Sequence, residues 1–426
     1  MSLKQHGRQY DLVVFGATGY TGTFVAEHIT THLPTNLKWA VAGRSESKLQ
    51  HLVGECKKLS PDRVQPGIEI CSLNDEDLEA LAKKTYILIT TVGPYAQYGE
   101  HAFRACAENG THYLDVTGET PWTGMMIKKY EGLAQETGAM MFPQIGIESA
   151  PPDLVTWVLA KQVRERLAAQ TGAVTVSIHQ LDAAPSGGTL ATVLGLFDSF
   201  TLSQVREQHK PYALSPVPNR SKGQSQTSLL TKLVGLRNVP NLGLMTTSIA
   251  VMTDTPIVQR TWGLFATLPS REKQFYGPNF SFHEYMRAKG YLRGIAIHWA
   301  LAFFGLLLAT AAPFRKLVRM FVYQPGEGPD KEACKKDEIE YRGTAIPDRV
   351  PDRGSETGYP QAFCRAWYNG SMYYLTAVLL AQAASTLLEE DVDLPGGVFT
   401  PSCLGQPFID RLQGAGFKFE SEMLEN

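Results

Sequence analysis

Three glycines spaced three residues apart, in Gly16-Ala17-Thr18-Gly19-Tyr20-Thr21-Gly22, are the residues of this chain best suited to holding a charged ligand. The first two allow a tight turn and a close approach of backbone to a pyrophosphate, and the third lets a helix pack near the preceding strand. The apolar run DLVVF (11–15) leads into these glycines, and the helically spaced FVAEHITTHL follows them. A helix beginning there directs its free N–H groups and the positive end of its dipole at the ligand. The ribose of such a ligand meets the end of the next strand, LKWAVAG (37–43). An NAD site usually carries an acid at that point. Here the chain has Gly43-Arg44-Ser45, with Lys48 one helical step further on. A guanidinium and a hydroxyl suit a 2′-phosphate, so NADP(H) is expected over NAD(H).

Thr91-Val92-Gly93-Pro94 ends a later apolar run, where open α/β sheets bind ligands beyond their strand ends. Tyr95 and Tyr98 follow on a segment that could face a nicotinamide, and His179 precedes the Ser186-Gly187-Gly188-Thr189 loop. Each could donate a hydrogen bond or a proton to a substrate being reduced, and these three are the catalytic candidates. For each the alternative is ordinary packing. Asp115, Thr117, Gly118 and Glu119 close a fifth run, and Gly146, Glu148 and Ser149 close a sixth.

These residues need a frame to position them. Short β-branched runs at 11–15, 37–43, 68–73, 86–92, 112–118 and 139–146 alternate with helical stretches at 45–59, 75–84, 100–110 and 126–138. Gly110 and Gly138 act as helix stops. Six such alternations predict a Rossmann-type α/β fold, a doubly wound parallel sheet with helices on both faces. After Pro151-Pro152 the pattern changes to that of a second, α+β domain. It predicts a strand running into a loop over 175–188, a helix near 189–205, loops at 211–226 and 324–336, and a helix over 371–390.

Composition narrows the function. The chain has 426 residues, 40 Lys plus Arg and 42 Asp plus Glu, for a net charge of −2. Charge that balanced gives no general attraction to nucleic acid, and a 43% hydrophobic content excludes a disordered chain. The six cysteines form no CxxC pair, so neither a zinc site nor a disulfide framework is expected. Free thiols and a polar N-terminus without an apolar h-region indicate a reducing, cytoplasmic setting. The segment 294–313, GIAIHWALAFFGLLLATAAP, carries no formal charge and has basic residues on both sides. Its length suits a membrane span or a lipid-surface helix. The alternative is a helix buried in the domain or packed at a homodimer interface.

With these motifs in place, the chain resembles the saccharopine dehydrogenase-like oxidoreductases. The resemblance rests on DLVVFGATGYTG, WAVAGRS, VGPYAQYGE, YLDVTGE, GIESAPPDL and GGVFTP, which together span nearly the whole sequence. It implies an NADP-binding Rossmann domain over 1–150 and a substrate or dimerisation domain over 151–380. A C-terminal segment, 381–426, would return to the first domain. It also implies association with lipid droplets or other membranes, a feature of eukaryotic members. SGGT and the apolar segment look more like the trans-acting enoyl reductase branch. On that reading the enzyme is an NADPH-dependent enoyl reductase of secondary metabolism, acting on a small or carrier-bound acyl substrate. The alternatives are an imine or carbonyl reductase of the saccharopine-reductase type, and a catalytically quiet nucleotide-binding protein on a lipid surface. An α-amino dicarboxylate substrate would need several arginines around it, and Arg206, Arg220, Arg237 and Arg260 are the available ones. The chain has Glu148 where the family commonly has Asp.

Overall fold

Five of the first six apolar runs form strands whose side chains are buried on both sides, and the third forms the partly exposed edge strand. In β1 (Tyr10–Phe15), Leu12 and Val14 enter one core while Val13 and Phe15 enter another. That two-sided burial explains the unbroken apolar run. The structure is a computed structural model that describes residues 3–182, 186–219, 228–321, 323, 326–348 and 360–424. After β1 come β2 (Trp39–Gly43), β3 (Gly67–Ile70), β4 (Thr85–Thr90), β5 (His112–Asp115) and β6 (Met140–Phe142). All are parallel, in the order 3-2-1-4-5-6. The order reverses between β1 and β4, the place where such sheets bind dinucleotides.

Helices α1 (Tyr20–His32), α2 (Glu46–Leu59), α3 (Asp75–Lys84), α4 (Tyr95–Tyr98), α5 (Glu100–Asn109) and α6 (Thr120–Thr137) connect these strands. Gly110 and Gly138 end α5 and α6 with left-handed φ values of 65° and 77°. Helix α6 starts six residues before the expected 126, since Pro121 fits a first turn.

The second sheet is mixed. Its strands are β7 (Thr171–Leu181), β8 (Arg237–Val239), β9 (Gly243–Thr247), β10 (Ser281–Arg287), β11 (Glu338–Pro347) and β12 (Gln361–Asn369). Helix α7 (Ala150–Leu167) covers one face so closely that a Cβ on Gly343 would lie 2.8 Å from Leu159 Cδ1. The helix expected near 189–205 is two, α8 (Gly187–Ser199) and α9 (Leu202–Gln208), because Thr201 opens a new capping box. Next come α10 (Leu229–Val234), α11 (Val251–Thr267), α12 (Tyr291–Thr310), α13 (Ala312–Arg319) and α14 (Met372–Glu389). Part of the loop expected over 211–226 falls outside the described residues.

The chain end serves both sheets. Strand β13 (Gly397–Val398) joins the first sheet beside β6; α15 (Gly405–Gly414) follows, and β14 (Lys418–Leu424) joins the second beside β12. Helix α14 packs on α1, with Gln382 Nε2 3.2 Å from His28 Nε2 and the Phe24 and Tyr374 rings 4.6 Å apart.

The apolar segment is not a core helix. Helix α12 spans Tyr291–Thr310, three residues earlier than expected, and only 6% of its most apolar window is buried. Gly294 fastens one end to the second sheet, where a Cβ would lie 2.4 Å from Leu236 Cδ2. Thr247 and His298 meet at 2.7 Å, so the histidine anchors the helix to β9. Beyond that anchor Trp299, Phe303, Phe304 and Leu306 are exposed.

Candidate active site

The glycine loop has a shape that only glycine permits. Gly16 has φ +82°, and a Cβ there would lie 2.6 Å from Val92 Cγ2. A Cβ on Gly22 would lie 2.2 Å from the Gly16 carbonyl oxygen. Gly19 begins α1 without a side-chain cap, and the first turn holds no acid. The N–H groups of Ala17 and Gly19 donate to Ala42 O and Gly16 O, and those of the first helical turn, Tyr20-Thr21-Gly22, face no carboxylate of their own helix. Thr91 closes the other side, its N–H donating to Phe15 O at 3.0 Å and its hydroxyl to Gly16 O at 3.1 Å. A pyrophosphate fits this cradle on charge and on space.

The ribose end fits NADP. Arg44 is exposed and makes no ion pair among the described residues. Ser45 sits at the start of α2 without capping it, its hydroxyl 3.3 Å from that of Ser47. Lys48, Ser47 and Thr18 of the glycine loop line one groove. A phosphate there would meet cations and hydroxyls.

The catalytic candidates separate. Tyr95, after the cis Gly93-Pro94 bond, turns inward and is 4% exposed. Its hydroxyl donates to Thr90 O at 2.9 Å, its ring lies on Trp122, and burial pushes its pKa well up. Glu119 accepts from the N–H groups of Tyr95 at 2.7 Å and Ala96 at 2.9 Å, which pins α4. Tyr95 is thus a strut under the Val92-Gly93-Pro94 turn, not a proton donor into the cleft. Tyr98 is 41% exposed, and its hydroxyl has no hydrogen-bond partner among the described residues.

His179 faces away. Register pairs Ile178 with Tyr341 and Gln180 with Glu340, so His179 is the extra residue of a bulge. Burial lowers its pKa to about 4, helped by Arg342 and Arg287 and opposed by Glu340. Arg342 pairs in register with Ser177, on the face opposite Ile178 and Tyr341. The cleft toward the first sheet lies on the Tyr341 side, so His179 does not reach it.

The cleft holds acids instead. Glu148, just past β6, aims its carboxylate at Gly118, where a Cβ would lie 2.2 Å from Oε2 and 3.7 Å from Thr253 Cγ2. The residue keeps some exposed surface, but desolvation of its carboxylate raises its pKa. Behind it, Asp254 opens α11 with no exposed surface, and Glu284 stands on β10 at 3% exposure. Ser248 donates to Glu284, and the buried Asp254 carboxyl, within electrostatic reach of Glu284, has no hydrogen-bond partner on either oxygen among the described residues. Burial and the facing carboxylate push Asp254 well up, and burial pushes Glu284 up, so the pair favours holding a proton. Tyr341, also buried, donates to Ile147 O at 3.2 Å. Asp115 at the end of β5 accepts from Thr117 N, Gln144 N and Tyr113 Oη, and burial brings its pKa to about 7.

Sequence reasoning missed Asp254, Glu284 and Tyr341. One signal was present: in SFHEYMR, Glu284 falls on the phase of Phe282 and Met286, an acid on a buried face. Among the described residues no three His, Cys, Asp or Glu side chains form a metal-binding group. His28 and His32, four apart on α1, stack on each other at 4.1 Å.

Comparison with known proteins agrees with this geometry. Residues 12–142 match the saccharopine dehydrogenase NADP binding domain. The chain is 30% identical over 438 residues to a saccharopine dehydrogenase-like oxidoreductase of Rattus norvegicus, covering 97% of each. It is 29% identical over 431 residues to a trans-acting enoyl reductase of Mycobacterium bovis, covering 96% of this chain and 97% of that one. Its fold is that of saccharopine dehydrogenase (L-Glu forming) from Saccharomyces cerevisiae, with a TM-score of 0.58 at 12% identity over 97% of this chain and 99% of that one. Fold and site define an NADP-binding oxidoreductase. The chain belongs to the saccharopine dehydrogenase-like oxidoreductase family.

Proposed function

We propose that the protein is an NADPH-dependent enoyl reductase of an apolar, thioester- or carrier-linked acyl substrate. The observation that carries this reading is the lining of the cleft: its ionisable groups are the carboxyls of Glu148, Asp254 and Glu284, whose desolvation favours the protonated form. Of the second-domain arginines named above, Arg260 and Arg237 are committed elsewhere. Arg260 is buried and bound to Glu131, Leu214 O and Val398 O. Arg237 stacks on Tyr285 at 4.1 Å, Arg206 is exposed on α9, and Arg220 lies outside the described residues. Among the described residues these arginines give a dicarboxylate imine no clustered partners, whereas a neutral enoyl chain needs none.

When bound, the cofactor supplies a hydride for the β-carbon. Glu148 holds at its carboxyl the proton that the α-carbon must receive. The Asp254–Glu284 pair, close enough to feel the charge of Glu148, holds the proton that replaces it. Tyr98, on α4 beside the first turn of α8, holds a donor for the thioester oxygen as it gains charge. Tyr373 braces that turn, its hydroxyl bonded to Ser186 N and lying 3.1 Å from the Thr189 hydroxyl.

The test is oxidation of NADPH by purified protein with a long-chain α,β-unsaturated thioester, set against an imine formed from an amino acid and an aldehyde. Turnover of the thioester alone is expected. Turnover of the imine instead overturns the proposal. Cofactor binding without turnover of either would mark a catalytically quiet nucleotide-binding protein.

A second reading concerns place, and exposed α12 favours it. Its 20 residues extend about 30 Å, the thickness of a bilayer core. We infer that this helix and α13 rest on a lipid surface. Arg315 and Arg319 are not free for headgroups, since both pair with Asp198 of α8 and lock α13 in place. Lys289 and Arg293 remain at the start of α12, and Lys316 remains beside exposed Leu317, Met320 and Phe321. Phe303→Asp with Phe304→Asp is expected to cut flotation with anionic phospholipid vesicles by about 100-fold or more. NADPH binding should not change. A wild-type protein that ignores vesicles but sediments as a dimer would place α12 at a subunit interface instead.

A further inference from the structure

The groove beside the glycine loop has a contributor that lies far away in sequence. Thr18 and Glu27 line it from the α1 side, Ser47 and Lys48 from the α2 side, and Lys331 from neither. Lys331 belongs to the segment between α13 and β11, which crosses from the second sheet to the first. Three contacts fasten that crossing. Tyr20 Oη donates to Pro329 O at 2.6 Å. Gly328 stands so close to the Tyr20 ring that a Cβ would lie 2.6 Å from Cζ. Gly187 N, in the first turn of α8, donates to Glu327 O at 3.0 Å.

The ammonium of Lys331 is thereby held over the Phe24 ring at 4.2 Å, with Glu27 Oε2 at 3.5 Å. That ion pair is long and solvent-exposed, and such pairs hold little energy. It leaves the cation available to a stronger acceptor. Thr18 is part of the pyrophosphate loop, and Ser47 and Lys48 stand in the first turn of α2, two and three residues after Ser45, so the groove opens beside the place where the 2′-phosphate of NADP is expected. A dianionic phosphate would outcompete one exposed carboxylate for a nearby ammonium.

We propose that Lys331 is a specificity-determining ligand of the cofactor's 2′-phosphate, supplied by the second domain. The Rossmann half then provides Arg44 and Lys48, and the crossing segment closes the site with a third cation.

Binding to the full-length apo protein tests this by titration calorimetry with adenosine 2′,5′-bisphosphate and with ADP, which lacks the 2′-phosphate. Lys331→Met is expected to weaken the bisphosphate by about 5–20-fold and to leave ADP within about twofold. Arg44→Ala sets the scale for a loss of the same selectivity. Lys331→Arg should restore most of the bisphosphate affinity, and Glu27→Gln, which removes the competing carboxylate, should tighten it. Equal weakening of both ligands, or of neither, overturns the proposal, because a purely structural tether has no means of telling the two apart. A lower melting temperature with unchanged selectivity overturns it as well.

Discussion

Glu148→Gln lowers kcat by about 10²–10⁴-fold, the usual contribution of a positioned general acid, and leaves the dissociation constant of NADPH unchanged. Glutamine keeps the shape that fills the space above Gly118, where the carboxylate now lies, so the change removes a proton and little else. The sign of the pH dependence follows from the same burial. Desolvation raises the pKa of Glu148, so the protonated, donating form persists to higher pH than for an exposed glutamate. Activity should fall as pH rises through that pKa, and this limb should vanish in the variant. Glu148→Asp, which keeps a carboxyl on a shorter arm, should recover part of the rate with a shifted limb. A steady-state pH profile alongside a cofactor titration checks all three statements. Loss of NADPH affinity together with kcat would instead make Glu148 a structural prop for the β5 end.

Gly22→Ala abolishes cofactor binding, with a loss of about 100-fold or more expected when a binding loop moves by about an ångström. The added methyl would lie 2.2 Å from Gly16 O, 2.8 Å from Ala17 Cα and 2.9 Å from Ala17 C. All three atoms are backbone, so no rotamer change relieves the clash. The loop must lift off the helix, and overpacking of this kind costs about 1–3 kcal/mol as well. Gly54→Ala is the matched control. It lies inside α2 with nothing within 4 Å of its virtual Cβ, and there the same change should stabilise by about 0.5–1 kcal/mol. Thermal melts and fluorescence titration with NADPH separate the two outcomes. Intact binding in Gly22→Ala would mean that α1 can slide away from the loop without opening the phosphate cradle.

The cofactor half of the site was legible because its information is local. Gly16, Gly19 and Gly22 lie within seven residues, and the conformation they allow depends mainly on one strand end and one helix start. Arg44 and Ser45 follow β2 directly. The catalytic half was not legible in that way. Tyr95 stands next to the Gly93-Pro94 turn in sequence, yet its ring packs under Trp122 and its hydroxyl is used by Thr90. His179 precedes the SGGT loop, yet a bulge aims it at Arg342 and Glu340. Asp254, Glu284 and Tyr341 come from three separate segments and become neighbours only when the second sheet forms.

The sequence by itself determined the parallel sheet, the glycine cradle and the preference for a 2′-phosphate. Strand burial, glycine backbone freedom and the charge after β2 are properties of short contiguous runs. Only the tertiary structure decided which acids share the cleft, that α12 is exposed, and that Lys331 reaches the α1–α2 groove. Those outcomes depend on how two sheets dock and on which face of a strand is turned inward. A shift of one residue in strand register reverses that face without changing the composition or the local pattern.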